Sequence, residues 1–218
     1  RSRALSLGPS PVVYNAGVNG QDWPWALQLL GAAGWGPPGP GLVAHNSAVG
    51  GCEESARWTL AVELLRRMGK KGLELNVIAC NSIVSSCEKG EEWSQALALR
   101  AAMGLQGLPA DVITGNAAVS ACEKGLRWKK ALALLREMRS FLRPDAITHN
   151  SAMSACERCQ CWASALWLLA DMQHCSLELD VISCSAATSA LQEGVRWDRA
   201  LDLLFSARRG SLELNVVS

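Results

Sequence analysis

The chain has 218 residues, of which 49% are apolar and 19% charged, with 21 Lys and Arg against 20 Asp and Glu. That composition excludes a disordered, collagen-like or coiled-coil chain and leaves a globular one with ample material for a core, while the balanced charge gives no general attraction for polyanions. Nine Trp stand beside one Tyr and two Phe, the mark of one structural slot filled many times, so a repeat is the first pattern to test.

Residues 1–10 read as an unstructured flank. The chain opens at Arg1 with no basic-then-apolar leader, so neither a signal peptide nor a complete transit peptide is visible, and the sequence reads as a piece of a longer protein. Residues 11–41 form a degenerate first unit. Asn15 lies eight residues before Trp23, where later units keep twelve, and Gly31 to Gly41 carries five Gly and three Pro. A shortened first helix and a flexible loop are expected there, with no reading role.

Five regular units follow at 42–76, 77–111, 112–145, 146–180 and 181–215, and residues 216–218 open another that is cut off. Three registers run in phase: Trp58, Trp93, Trp128, Trp162 and Trp197; Asn46, Asn81, Asn116, Asn150 and then Ser185; and Cys52, Cys87, Cys122 and Cys156, each column stepping by 35 or 34 residues.

Within unit 112–145, Gly115, Val119 and Cys122 fall at helical spacing in a stretch that ends at Gly125, a helix C-cap. From Trp128, the residues Ala131, Leu132, Leu135 and Met138 form one apolar stripe. Each unit is therefore two short amphipathic helices. The tail is a turn, explicit in Leu108-Pro109-Ala110-Asp111 and Arg143-Pro144-Asp145, where Pro blocks continuation. Helices of about 12 residues are marginal alone, so neighbouring hairpins must stack into an all-α solenoid. The Trp column is assigned to its core, over a base-stacking platform, and the Cys column to buried, reduced thiols of an intracellular or organelle interior.

With a Val-Ile-Thr-x-Asn opening at Val112-Ile113-Thr114, an Ala131-Leu132-Ala133-Leu134-Leu135-Arg136-Glu137-Met138 second helix and an Arg143-Pro144-Asp145 close, the unit resembles the pentatricopeptide repeat over about 205 residues. The rival tetratricopeptide pattern, with Trp, Leu-Gly and Tyr early in its first helix, is missing. The resemblance implies a right-handed α–α superhelix that binds single-stranded RNA sequence-specifically, one base per unit, in chloroplast or mitochondrial RNA processing, stability or translation.

It also implies the reading pairs. Carried over residue by residue, these are Asn46 with Asn76, Asn81 with Asp111, Asn116 with Asp145, Asn150 with Asp180, and Ser185 with Asn215. Val43, Ile78, Ile113, Ile147 and Ile182 would sandwich the bases. By the family's pairing rule the five units prefer 5′-CUUUA-3′. Each residue has a plainer alternative: Asp111, Asp145, Asp180, Asn76 and Asn215 stand where helix N-caps are favoured, the Asn column is able to bridge units, and Val or Ile in a first turn is commonly packing.

Chemistry is otherwise sparse. Cys156, Cys159 and Cys161 lie near His149, His174 and Cys175, but no second paired motif accompanies them, and they read as adventitious thiols rather than a zinc site. Cys159 and Cys161 fall at an inter-helix turn and are expected to be the exposed, oxidisable pair. His45 and His149 read as filler just before the reading residue. No phosphate loop, catalytic order or His-x-Glu signature appears, so no enzyme activity, cofactor or metal is expected. No charge-free apolar run approaches the roughly 18 residues of a membrane span. The expected partner of this monomer is single-stranded RNA, with RNA-processing proteins beside it; the alternative is a helical-repeat scaffold that binds a peptide or partner protein in its groove.

Overall fold

The computed structural model describes residues 42–193, apart from 71, 73, 74, 176 and 178. The flank at 1–10, the degenerate unit at 11–41, most of unit 181–215 and residues 216–218 lie outside the described residues. Nine helices are described: α1 (Leu42–Glu54), α2 (Trp58–Lys70), α3 (Val77–Lys89), α4 (Trp93–Leu105), α5 (Val112–Lys124), α6 (Trp128–Phe141), α7 (Ala146–Arg158), α8 (Trp162–His174) and α9 (Val181–Glu193). Every even helix opens on the Trp of its unit.

The odd helices start on polar side chains. Asn76, Asp111 and Asp145 hold an extended N-cap conformation and accept from the backbone N–H three residues on. Asp180 does the same for Ser183 at 2.7 Å. Each such cap satisfies one of the orphan donors of a first turn, worth about 1 kcal/mol. The even helices have no such device: Glu92, Arg127 and Cys161 precede them without a side-chain cap bond. Packing therefore has to hold those starts in place.

α1, α3, α5, α7 and α9 stack side by side as one layer. Each even helix packs against the odd helix of its own unit and against the odd helix of the next. Long charged side chains span the wider separation between neighbouring even helices, as Arg100 on α4 does to Glu137 on α6, donating from both terminal nitrogens at 2.9 and 3.2 Å. The fold is an all-α helical-repeat superhelix.

The core between the layers is built from small and flexible side chains: Ala118, Val119, Cys122, Ala131, Leu135, Met138, Ala152, Met153, Cys156, Leu168 and Met172 are all but fully buried. The Trp column does not join them. Trp58, Trp93, Trp128 and Trp162 pack against the core but stay partly exposed. The reason is their position at the start of an even helix, where the indole reaches across to the end of the next unit's odd helix. A methyl group on Gly90 would lie 2.4 Å from Cδ1 of Trp58, and one on Gly125 would lie 2.3 Å from Cδ1 of Trp93.

That contact explains the turns. Arg127 N–H donates to Cys122 O at 2.8 Å and Leu126 N–H to Glu123 O at 3.0 Å, the paired bonds of a Schellman motif. The left-handed residue of that motif is ordinarily Gly, yet here it is Leu126, at φ 55, and in the other units Ala56, Glu91 and Gln160. Gly125 sits one position earlier with an ordinary φ of −78. Glycine is thus placed where the neighbouring Trp needs room, and the left-handed turn falls to a residue with a side chain.

Candidate nucleic-acid interface

Residues three apart on a helix share a face. On α3, α5 and α7 this sets Ile78 beside Asn81, Ile113 beside Asn116 and Ile147 beside Asn150. The isoleucines are exposed: Ile78 at 73%, Ile113 at 62%, Ile147 at 63% and Ile182 at 59%. Exposure of that size removes packing as their explanation. Val43 lies in α1, and its side chain is outside the described residues.

Asn and Asp meet across the seam between units. Asn81 Nδ2 donates to both carboxylate oxygens of Asp111 at 3.1 and 3.0 Å. Asn116 Nδ2 does so to Asp145 at 3.3 and 3.2 Å, and Asn150 Nδ2 donates to Asp180 Oδ2 at 3.0 Å. Capping and pairing are therefore one arrangement: the carboxylate that starts an odd helix also anchors the amide of the preceding odd helix.

A hydroxyl that sequence reasoning gave no role completes each set. Thr114 Oγ1 donates to Asn81 Oδ1 and lies 2.8 Å from Asp111 Oδ1, so its one proton has two acceptors in reach. Thr148 stands likewise between Asn116 and Asp145. Ser183 Oγ lies 2.7 Å from Asn150 Oδ1 and 2.6 Å from Asp180 Oδ1. All three are fully buried. The signal was in the sequence as a Thr, Thr, Ser column at the third position of units 112–145, 146–180 and 181–215.

Unit 42–76 lacks the arrangement. Asn76 serves as the α3 cap, accepting from Ala79 N–H at 2.8 Å. Ala79 occupies the hydroxyl position, and the buried Oδ1 of Asn46 has no hydrogen-bond partner. The structure does not join Asn46 to Asn76 by a hydrogen bond among the described residues. Ser185 Oγ donates to Ile182 O at 3.0 Å within its own helix, and Asn215 lies outside the described residues.

Burial alone would raise the carboxyls of Asp111 and Asp145, but the backbone N–H and hydroxyl of Thr114 or Thr148, with the paired Asn amide, outweigh it and hold both below the ordinary range. At Asp180 the Ser183 hydroxyl and N–H and the Asn150 amide do the same against burial. The column is anionic at neutral pH. Beside it, Lys89 pairs with Glu53 at 3.7 Å and Lys124 with Glu88 at 3.1 Å, so the lysines at the ends of α3 and α5 are matched by carboxylates.

His149 is not filler. Its ring is 1% exposed, with Nδ1 2.9 Å from Asp145 O and Nε2 3.2 Å from Asp171 Oδ2. It ties the backbone carbonyl of Asp145 to the second layer, where Arg139 Nη1 donates to Asp171 Oδ1 at 2.5 Å. His45 is equally buried. Among the described residues no group of three or more His, Cys, Asp or Glu is placed to hold a metal ion, and no helix is long and apolar enough to cross a membrane.

Known proteins give the same architecture. The sequence model of the pentatricopeptide repeat, described as PPR repeat, matches residues 116–141, from the second turn of α5 to the end of α6. No curated protein matches the chain. The fold is similar to the pentatricopeptide repeat protein PPR10 from maize, with a TM-score of 0.73 at 22% identity over 96% of this chain, which spans 31% of the length of that one. It is similar to PPR10 in complex with an 18-nt psaJ RNA element, with a TM-score of 0.76 at 22% identity over 94% of this chain and 30% of that one. The PPR domain of protein-only RNase P 1 from Arabidopsis thaliana, in complex with tRNA, gives a TM-score of 0.68 at 13% identity over 78% of this chain and 90% of that one. One unit thus matches the sequence model of the pentatricopeptide repeat, the other units keep its register, and the fold is similar to that of solved pentatricopeptide-repeat proteins.

Proposed function

We propose that the chain binds single-stranded RNA along its odd-helix face, one base per unit, in the handling of organellar transcripts. The observation that carries this reading is the repeated set of an exposed Ile one helical turn from an Asn–Asp pair, present at Asn81–Asp111, Asn116–Asp145 and Asn150–Asp180. An exposed aliphatic surface beside an oriented amide and a carboxylate offers a base both a face to rest on and donors and acceptors for its Watson–Crick edge. PPR10 is the similar fold whose RNA complex supports it. The same alternation of Ile with charged and amide groups argues against a continuous apolar groove for a peptide.

Units 42–76 to 181–215 then prefer 5′-CUUUA-3′, with Asn–Asp selecting uridine, Asn46–Asn76 cytidine and Ser185–Asn215 adenosine. A net charge of +1 and lysines matched by Glu predict a shallow salt dependence, since few phosphates are neutralised. The test is competition between labelled RNA containing CUUUA and a scrambled control at moderate salt. Preference for CUUUA is expected, and Asp180→Asn is expected to move the fourth base from uridine towards cytidine. Equal affinity for both RNAs rejects base reading, while a fourth-base preference unmoved by Asp180→Asn rejects the register.

A further inference from the structure

We infer that the buried hydroxyl at the third position of units 112–145, 146–180 and 181–215 is a specificity-positioning residue for the preceding unit: Thr114, Thr148 and Ser183 lock the amides of Asn81, Asn116 and Asn150, and Ala79 leaves Asn46 unlocked. This rests on the base-reading proposal above and adds residues to it.

The donors and acceptors of each group fix the orientation of the amide. An ionised carboxylate only accepts, so the Asn face turned to Asp111, Asp145 or Asp180 has to be the –NH2. The amide oxygen then needs a donor on its other side. Thr114, Thr148 and Ser183 supply it from fully buried positions, each on the helix that begins with the same Asp. Amide plane and edge are thereby held at two points, and the second N–H of Nδ2 and the remaining lone pair of Oδ1 are left in a defined direction. A side chain so held discriminates because a mismatched base has to leave a polar group unpaired or break a bond already made.

Unit 42–76 is the natural comparison. There both anchors are missing: Asn76 has replaced the carboxylate, and Ala79 has replaced the hydroxyl. As a result Asn46 Oδ1 is buried without a hydrogen-bond partner, while the three locked amides are satisfied. Asn76 is an amide that both donates and accepts, so it imposes no orientation on Asn46. Carboxylate and hydroxyl together separate a rigid reader from a loose one, and substitution at the hydroxyl position isolates its share.

The experiment measures, for the full chain, relative affinities for four RNAs that differ only at the base read by unit 112–145, and four that differ only at the base read by unit 42–76. Thr148→Val keeps the shape and removes the hydroxyl; it is expected to lower discrimination at its own base by about tenfold and to leave bases two or more units away unchanged. Thr148→Ser is expected to restore the discrimination. In the opposite direction, Ala79→Thr supplies the missing donor and is expected to sharpen the choice of base at unit 42–76 by about fivefold. Should Thr148→Val unfold, Ala79→Thr remains decisive, because it adds a bond rather than removing one. Discrimination by the wild-type chain that neither Thr148→Val nor Ala79→Thr changes overturns the hydroxyl's role and leaves base reading standing. Absence of any base preference in the wild-type chain overturns both.

Discussion

Asp171 on α8 meets Arg139 of the preceding unit at 2.5 Å. Its other carboxylate oxygen faces Nε2 of His149, so a buried acidic group holds a cation from one unit and an imidazole from its own. Asp171 is 8% exposed and His149 1%. Removing the carboxylate strands two donors, one of them out of reach of water. Asp171→Ala is expected to cost about 3 kcal/mol in urea unfolding, several times more than Arg139→Ala, whose own side chain is partly solvated.

The glycines make a paired prediction. Gly125→Ala drives a methyl group into the rigid indole of Trp93 and is expected to destabilise by about 2 kcal/mol, although its backbone angles suit alanine. Gly115→Ala meets the thioether end of Met138, its methyl 2.2 Å from Cε and 2.6 Å from Sδ, but Met138 is a flexible side chain that moves aside. Helix propensity favours alanine there by about 0.5–1 kcal/mol. Gly115→Ala is therefore expected to be near neutral, and thermal melts of the two variants side by side decide the matter.

The left-handed turn residues carry strain that is open to relief. Leu126 combines φ 55 with 49% exposure. Leu126→Asn, which tolerates that conformation better, is expected to raise stability by about 0.5 kcal/mol, read in thermal melts. A loss of stability would mean that the Leu126 side chain contributes more by contact than its exposure implies.

Thiol chemistry separates the cysteines. Burial pushes Cys52, Cys87 and Cys122 up to about 11 and Cys156 up to about 12. These stay protonated and enclosed at neutral pH. Cys175 is exposed, and Cys159 and Cys161 are half-buried. Alkylation of the native chain, followed by mass spectrometry, is expected to modify Cys175 first, then Cys159 and Cys161, and to reach the Cys52–Cys156 column only after unfolding. The sequence singled out the turn pair; the most open thiol is Cys175, one residue past the end of α8.

Acid weakens the caps. Asp111, Asp145 and Asp180 have native carboxyls held below the unfolded value, so the stability they contribute is present above the ordinary aspartate pKa of about 4 and is lost as pH falls through the native values. Asn still caps a helix but does not titrate. Asp145→Asn is expected to keep most of its stability at pH 7 and to show a smaller drop than wild type between pH 6 and pH 3 in urea midpoints.

Much of this was legible in the chain itself, for identifiable reasons. Helix starts at Asp111 and Asp145 were visible because capping is local, and the Ile and Asn columns because helical spacing puts them on one face. The rest depends on partners about 30 residues away. Trp93 read as core because its contact with Gly125 lies in the next unit, and a large apolar residue without a visible partner defaults to the interior. His149 read as filler because Asp171 is 22 positions off on another helix. Thr114 shows no role in the sequence, since its acceptor, Asn81, belongs to the unit before.

The seam where α5 gives way to α6, α7 and onward also bears on how such arrays are cut and rejoined. A hydrogen-bonded set runs from Asn116 through Asp145 to Thr148, three residues past the boundary that the 35-residue period suggests. Joining two arrays after Asp145 would give Asn116 whatever side chain the incoming unit carries at its third position. A junction placed after Thr148 transfers the amide, its carboxylate and its hydroxyl as one inheritable piece.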